Sequence, residues 1–385
     1  MAGIYVHIPF CKSRCKYCDF FSTTQLGRRH EYCNALLQEL ELRKEPFLSL
    51  LAQRGEQVNT VYFGGGTPSV LCEGDLLKIL HAILHDFDTQ NSIQEITVEV
   101  NPQDVTPTLL QAYKAAGVNR LSMGIQTFDD DLLHLIGRRH DRATALQAVA
   151  TARNAGFDNI SVDLMYGLPG ETMEMWQRDV EQVVRLGVEH VSAYCLSYEE
   201  GTPLTLELEH GEVAELDDDT LNLMHDYIAD RLGEAGIMQY EISNYAKLGR
   251  ESRHNSSYWS GVPYLGLGAG AHSYDGNDTR RWNKSDLESY ISGAQQAFSA
   301  DSAQLLPFEI ERLTLIERHN ETIMLGLRTI KGVNLENIAL EQRPSFVDKT
   351  EVFIKQGLLI KSNNYYAATR RGQHILNRII EELMI

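Results

Sequence analysis

Basic charge is scarce in this chain. Its 385 residues carry 35 Lys and Arg against 53 Asp and Glu, a formal net charge of −18. Binding to nucleic acid in general needs a basic footprint, so this balance argues against it. Long apolar runs are missing as well, and none could span a bilayer as a helix. Met1-Ala2-Gly3 leads straight into a β-like run with no basic-then-apolar signal segment, so a cytoplasmic protein is expected. No low-complexity segment and no short internal repeat occurs. Cysteine is limited to six residues. Three of them, Cys33, Cys72 and Cys195, are scattered and read as small buried residues rather than ligands.

The other three, Cys11, Cys15 and Cys18, fall within eight residues, directly after a predicted strand. Three clustered thiolates can hold three irons of a 4Fe–4S cube. The fourth iron then lacks a protein ligand, and an open metal position is where chemistry happens. The spacing i, i+4, i+7 would also put the cysteines on one face of a helix. Pro9 before them and the basic residues between them argue for a loop instead. A zinc site is the other competitor, but zinc favours paired C-x-x-C blocks, and no second pair is present.

The first two hundred residues alternate strand and helix patterns. Strands are expected at Gly3–Ile8, Thr60–Phe63, Glu95–Val100, Arg120–Ile125, Ile160–Met165 and His190–Leu196. Helices are expected at about 28–54, 73–86, 107–116, 129–155 (broken near Gly137) and 172–186. Six strands alternating with helices imply a parallel sheet, and the repeat suits an α/β fold, a partial (β/α)6 barrel over residues 1–200. Residues 201–305 form a less regular middle section, with a helix at about 216–235 and a loop through His254-Asn255-Ser256-Ser257-Tyr258-Trp259. Residues 306–385 read as a separate unit, with helices at about 309–327, 334–340, 345–356 and 370–384. Two short strands, Gly357–Lys361 and Tyr365–Ala368, complete a winged-helix-like domain. That fold often binds DNA, but fold does not fix function. The mixed charge of 345–356 favours packing or partner docking.

Barrel enzymes place their sites at the C-terminal ends of the strands. Those ends carry Gly64-Gly65-Gly66-Thr67-Pro68, Glu99, Gln126 and Asp163, and they converge on the cysteine loop. Glycine permits close approach of backbone to a ligand. Glu99, Gln126, Arg138 and Asp163 are polar groups suited to a ribose or an amino acid. Taken singly, each reads as a surface residue or a cap.

The C-x-x-x-C-x-x-C spacing resembles the radical S-adenosylmethionine (radical SAM) superfamily, which implies a 4Fe–4S cluster on Cys11, Cys15 and Cys18 with SAM on the open iron. Tyr17 matches the aromatic position against the adenine. His7-Ile8-Pro9-Phe10-Cys11, Gly64–Pro68, Gly124-Ile125-Gln126-Thr127-Phe128 and Asp163–Pro169 together resemble the oxygen-independent coproporphyrinogen III dehydrogenase group along nearly the whole chain. By that likeness Tyr5, Gly65, Gly66, Glu99, Gln126, Arg138 and Asp163 are SAM-site residues, with Met165 beside the adenine. The dehydrogenases carry a fourth cysteine where this chain has Phe20, and an N-terminal extension where the first strand here begins at Gly3. Both departures match the HemW branch, proposed to be haem chaperones. His254-Asn255-Ser256-Ser257-Tyr258-Trp259 matches a pattern linked to haem in that branch. A neutral imidazole is a good axial ligand, which makes His254 the expected haem-iron ligand, with Tyr258 and Trp259 as aromatic faces. His272, in a Gly-rich segment, is a weaker candidate.

The expected function is therefore binding of haem and delivery to apo-haemoproteins. The alternatives are coproporphyrinogen decarboxylation by the radical, radical chemistry on haem itself, and, as an outsider, DNA binding. A transient membrane visit and a homodimer belong to the same expectation.

Overall fold

The computed structural model describes residues 1–87, 89 and 92–385. Six strands pair in parallel and in chain order: β1 (Ala2–Ile8), β2 (Val58–Gly65), β3 (Glu95–Val100), β4 (Arg120–Gln126), β5 (Ile160–Tyr166) and β6 (His190–Cys195). Their side chains are buried on both faces, as a helix-covered parallel sheet requires. The crossovers hold α1 (Arg29–Arg54), α2 (Glu73–Asp86), α3 (Pro107–Ala115), α4 (Asp130–Leu135), α5 (Arg142–Asn154) and α6 (Met173–Leu186). Thr106, Asp129, Asp141 and Thr172 each accept a backbone N–H at a helix start. The expected break falls between α4 and α5, where Gly137 takes a left-handed φ of 76°.

The middle section extends the same sheet at both edges. After α7 (Pro203–Glu209) and α8 (Asp218–Glu234), β7 (Met238–Gln239) and β8 (Asn244–Ala246) add antiparallel strands beside β6. Then α9 (Arg253–Trp259) leads to β9 (Tyr264–Leu267), which runs parallel to β1. Antiparallel β10 (His272–Tyr274), β11 (Thr279–Asn283) and β12 (Phe308–Arg312) follow outward, with α10 (Leu287–Ser299) before the last. The order is β12-β11-β10-β9-β1-β2-β3-β4-β5-β6-β8-β7, an open sheet of twelve strands.

Glu39 of α1 anchors the β9–β11 flank. Its carboxylate accepts from Gly268 N (2.9 Å), Asn283 Nδ2 (2.7 Å), Tyr290 OH (2.7 Å) and Arg43 Nη1 (2.7 Å). A buried charge satisfied on every side in this way holds the layers in one register.

Four local expectations change. Residues 254–259 form a helix, not a loop, because Glu95 accepts from the N–H groups of Arg253 and His254 at 2.9 and 3.0 Å while Ser252 caps Asn255. The expected helix 309–327 begins as β12, whose alternating Phe-Glu-Ile-Glu-Arg pairs with β11. A Thr314–Glu317 capping box then starts α11 (Leu315–Leu327). The expected helix 334–340 is β13 (Val333–Asn334) and one 3-10 turn, because Val333 and Asn334 pair with a neighbouring strand. The final helix is two, α13 (Arg370–Gln373) and α14 (Leu376–Leu383). With α12 (Arg343–Lys355), β14 (Leu359–Ser362) and β15 (Tyr365–Ala368), these build the winged-helix-like unit. Its own core includes Ile323, Phe346, Phe353, Tyr366 and Ile379.

Candidate functional site

The loop after β1 is irregular and tied down from several sides. Cys11 N and Thr23 N bond to Thr23 O and Pro9 O at 2.9 and 2.7 Å, and Lys16 N bonds to Ile136 O at 3.0 Å. Lys12 and Lys16 pair with Asp104 and Glu207 at 2.7 and 2.6 Å. Cys11, Cys15 and Cys18 are therefore half-buried on a loop and not along a helix face. A single tetrahedral ion would hold their sulfurs about 3.8 Å apart, given a metal–sulfur bond of about 2.3 Å. Among the described residues, three candidate ligand atoms lie within 4.8 Å of one another only at His225, Asp226 and His374. The three thiols are spread more widely, which fits a cluster better than an ion. Burial raises the Cys11 thiol and pushes Cys18 up to about 11, so loading metal must release protons. Arg138 Nη1 lies 3.4 Å from Cys15 Sγ, a half-buried cation beside the thiols.

One cavity of about 410 Å³ opens at the C-terminal ends of the strands. It is lined by the three cysteines together with Tyr17, Gly65, Gly66, Glu99, Gln126, Arg138, Asp163 and Met165. A Cβ on Gly66 would come within 2.9 Å of the Pro9 carbonyl carbon and 3.0 Å of Cys11 Sγ, so the cysteine loop needs glycine there. Glu99 accepts from Tyr62 OH at 2.7 Å and from Gly65 N at 3.2 Å. Burial pushes its carboxyl up to about 7, against the lowering from the Tyr62 bond. Asp163 accepts from Ser122 Oγ at 3.1 Å and is also raised by burial. Gln126 has φ of 74°, a left-handed conformation that L residues avoid, at the point where the β4–β5 register shifts. Strain of this kind gathers at ligand sites.

Ser122, Tyr62, Ser192 and Tyr194 line the same cavity without having been singled out in the sequence, and Cys195, expected to be a small buried residue, lines it too. Their signal is period two: Ser192 and Tyr194 alternate on β6, and Tyr62 alternates with Gly64 on β2. Cys195 and Cys72 are exposed rather than interior, one at the open end of β6 and the other at the residue before α2.

Tyr5, expected with the SAM residues, does not line this cavity. It stands lower in the barrel with its hydroxyl 3.1 Å from His7 Nδ1. There it joins an aromatic floor built on α9. His254 is 1% exposed and stacks on Tyr62 with ring centres 5.1 Å apart. His254 Nδ1 is hydrogen-bonded to Thr60 Oγ1 at 2.8 Å, and Nε2 to Tyr258 OH at 2.9 Å. Burial, with Arg120 nearby, pushes the imidazole down to about 3, so it is neutral. Trp259 is half-buried, and among the described residues its indole N–H makes no hydrogen bond. Thus His254, Tyr258 and Trp259 share one helix directly below the cysteine cavity, which Tyr62 and, from the same helix, Asn255 both line, and His254 is closed in this conformation. His272 lies exposed on β10, with its ring stacked on Trp282.

The Radical SAM superfamily profile matches residues 5–183, and that of the HemN C-terminal domain matches residues 313–375. The chain is 36% identical over 387 residues to the Bacillus subtilis protein named heme chaperone HemW, covering 98% of each. It is 34% identical over 386 residues to the Mycobacterium tuberculosis H37Rv protein of that name, covering 99% of this chain and 94% of the other. Among solved structures, coproporphyrinogen III oxidase (HemN) from Escherichia coli superimposes with a TM-score of 0.79 at 23% identity, covering 100% of this chain and 90% of that one. At that identity the match speaks for the fold alone.

Proposed function

Because the chain belongs to the HemW branch of the radical SAM superfamily, we propose that it is a haem chaperone that binds haem and delivers it to haemoproteins. The near-full-length similarity to relatives bearing that name carries the reading. Members of the superfamily use a 4Fe–4S cluster and SAM. When bound, these supply one-electron cleavage of SAM to a 5′-deoxyadenosyl radical. In this proposal Cys11, Cys15 and Cys18 hold the cluster. Gly65, Gly66, Glu99, Gln126, Arg138, Asp163, Tyr17 and Met165 hold SAM, with Tyr5 supporting them from below through His7. Glu99, ionised, takes a cationic amine. Arg138 balances thiolate charge, and Gly66 leaves room for the loop.

Phe20, 65% exposed at the cavity rim, stands where the dehydrogenases carry a further cysteine, and this favours chaperone over decarboxylase. His254 is proposed as a haem-iron ligand, with Tyr258 and Trp259 beside the ring. Ligation requires α9 to move and His254 to exchange Thr60 or Tyr258 for iron. A cytoplasmic location, transient membrane contact and a homodimer complete the proposal. Among the described residues no helix is long and apolar enough to cross a membrane.

The test is anaerobic haem titration of cluster-loaded protein. Saturable binding, and transfer of the bound haem to an apo-haemoprotein, is the expected result. No binding, or turnover of coproporphyrinogen instead, would overturn the reading.

A further inference from the structure

The two candidate histidines differ in what their ring nitrogens are doing. Both nitrogens of His254 are hydrogen-bonded inside the barrel. His272 is exposed, and among the described residues neither of its ring nitrogens makes a hydrogen bond. His272 pairs across the strands with Trp282, ring centres 5.5 Å apart and planes 16° from parallel. That stack holds the imidazole upright. A macrocycle bound axially to it would meet Trp282 edge-on, a favourable aromatic geometry that also excludes water from one side of the iron.

The surroundings suit a flat aromatic ligand. Tyr274, two residues along β10 on the same face, lies under the Arg280 guanidinium at 5.7 Å. Arg280 pairs with Glu321 at 2.8 Å, and among the described residues its buried Nε makes no hydrogen bond. Rings then continue inward in an unbroken series. Tyr274 to Tyr264 is 6.3 Å, Tyr264 to Tyr258 is 4.8 Å, and Tyr258 to His254 is 5.2 Å between centres. The shelf is fixed to the barrel at Gly266, where a Cβ would fall 1.9 Å from the His272 carbonyl oxygen.

Other exposed histidines lack these features. His30, His85 and His210 each lie within 4 Å of a carboxylate. His81 and His134 stand on helix faces with no ring partner among the described residues.

Resting on the haem reading above, we propose that His272 is the ligand that captures haem on the closed chain, held by Trp282 and flanked by Tyr274 and Arg280. His254 takes over only after α9 opens. Capture at His272 needs no rearrangement, whereas ligation at His254 is slowed by the small fraction of open chains.

The experiment is stopped-flow absorption of the cluster-loaded full chain mixed anaerobically with haem. Wild type should show a fast phase proportional to haem concentration and a slower, concentration-independent phase. His272→Ala should lose the fast phase, or slow it at least tenfold. His272→Met should keep a fast phase with an altered ligand-field spectrum, which a merely structural role for His272 would not produce. His210→Ala should match wild type. Circular dichroism and iron content confirm that each variant is folded and loaded. A fast phase with unchanged rate and spectrum in both His272 variants overturns the inference and leaves the chaperone reading standing. Absence of haem binding by wild type overturns both.

Discussion

The barrel mouth and the barrel floor use the same residue types to opposite ends. At the mouth, Glu99, Asp163, Gln126 and Arg138 face a cavity, and several of their polar atoms have room for a ligand. On the floor, His254, Thr60, Tyr258 and Glu95 bond to one another, and little hydrogen-bonding capacity is left over. Burial perturbs groups in both places, so a shifted pKa does not separate them. What separates them is spare capacity: each Glu99 carboxylate oxygen accepts one bond and can accept another, whereas each His254 ring nitrogen has its single site filled. A mouth residue is ready for a cofactor as it stands; a floor residue must first break a bond.

The sharpest way to break this comparison is Gly66→Ala. A Cβ there meets the Pro9 and Phe10 backbone as well as Cys11 Sγ, so the cysteine loop must shift. We expect near-complete loss of bound iron and sulfide by chemical analysis, with the thermal melt of the unloaded chain close to wild type. On the floor the expectation inverts. His254→Ala leaves two buried hydroxyls unpaired and a ring-sized gap, and should cost about 2–4 kcal/mol in urea unfolding, with cluster content unchanged. If instead His254→Ala loses the cluster and keeps its stability, mouth and floor are not distinct.

SAM binding should depend on pH through Glu99. Its carboxyl titrates near 7, and a cationic amine binds the ionised form. Affinity measured by calorimetry should therefore fall about tenfold from pH 8 to pH 6. Glu99→Gln should bind weakly at both pH values, without that slope. A wild-type affinity independent of pH would remove Glu99 from the amine site.

A slope rather than a step is expected at Glu171, a buried residue with one oxygen accepting Leu168 N at 3.0 Å. Burial pushes its carboxyl from 4.5 up to about 8. The folded chain thus holds this proton more tightly than the unfolded chain. Its contribution to stability is complete below about pH 4.5 and fades as pH rises through 8. Glu171→Gln, which mimics the protonated form, should flatten the stability profile between those values. A profile as steep as wild type would count against it.

Much of the barrel was legible from periodicity. Strand β3 spans the expected residues Glu95–Val100, and the helix break at Gly137 follows from a conformation that glycine adopts readily. Apolar residues in β1 and β2 had no other way to be buried. The failures share one cause. Whether 254–259 coils or winds depended on Glu95, a carboxylate 158 and 159 residues away in sequence from the two N–H groups it accepts. Strand β12 depended on an open edge at β11, and Cys195 depended on which end of β6 faces the cavity.

The order of residues alone determined the six parallel strands and their crossover helices, the spacing of the three cysteines and the glycines at the strand ends, because turn chemistry and side-chain periodicity act over a few positions. Only the tertiary structure decided which polar atoms still had free capacity. It closed His254 against Thr60 and Tyr258, left His272 open beside Trp282, and set Glu99 between Tyr62 and Gly65. Hydrogen-bond satisfaction is a property of neighbours in space, and most of these neighbours are brought together by the sheet across long stretches of chain.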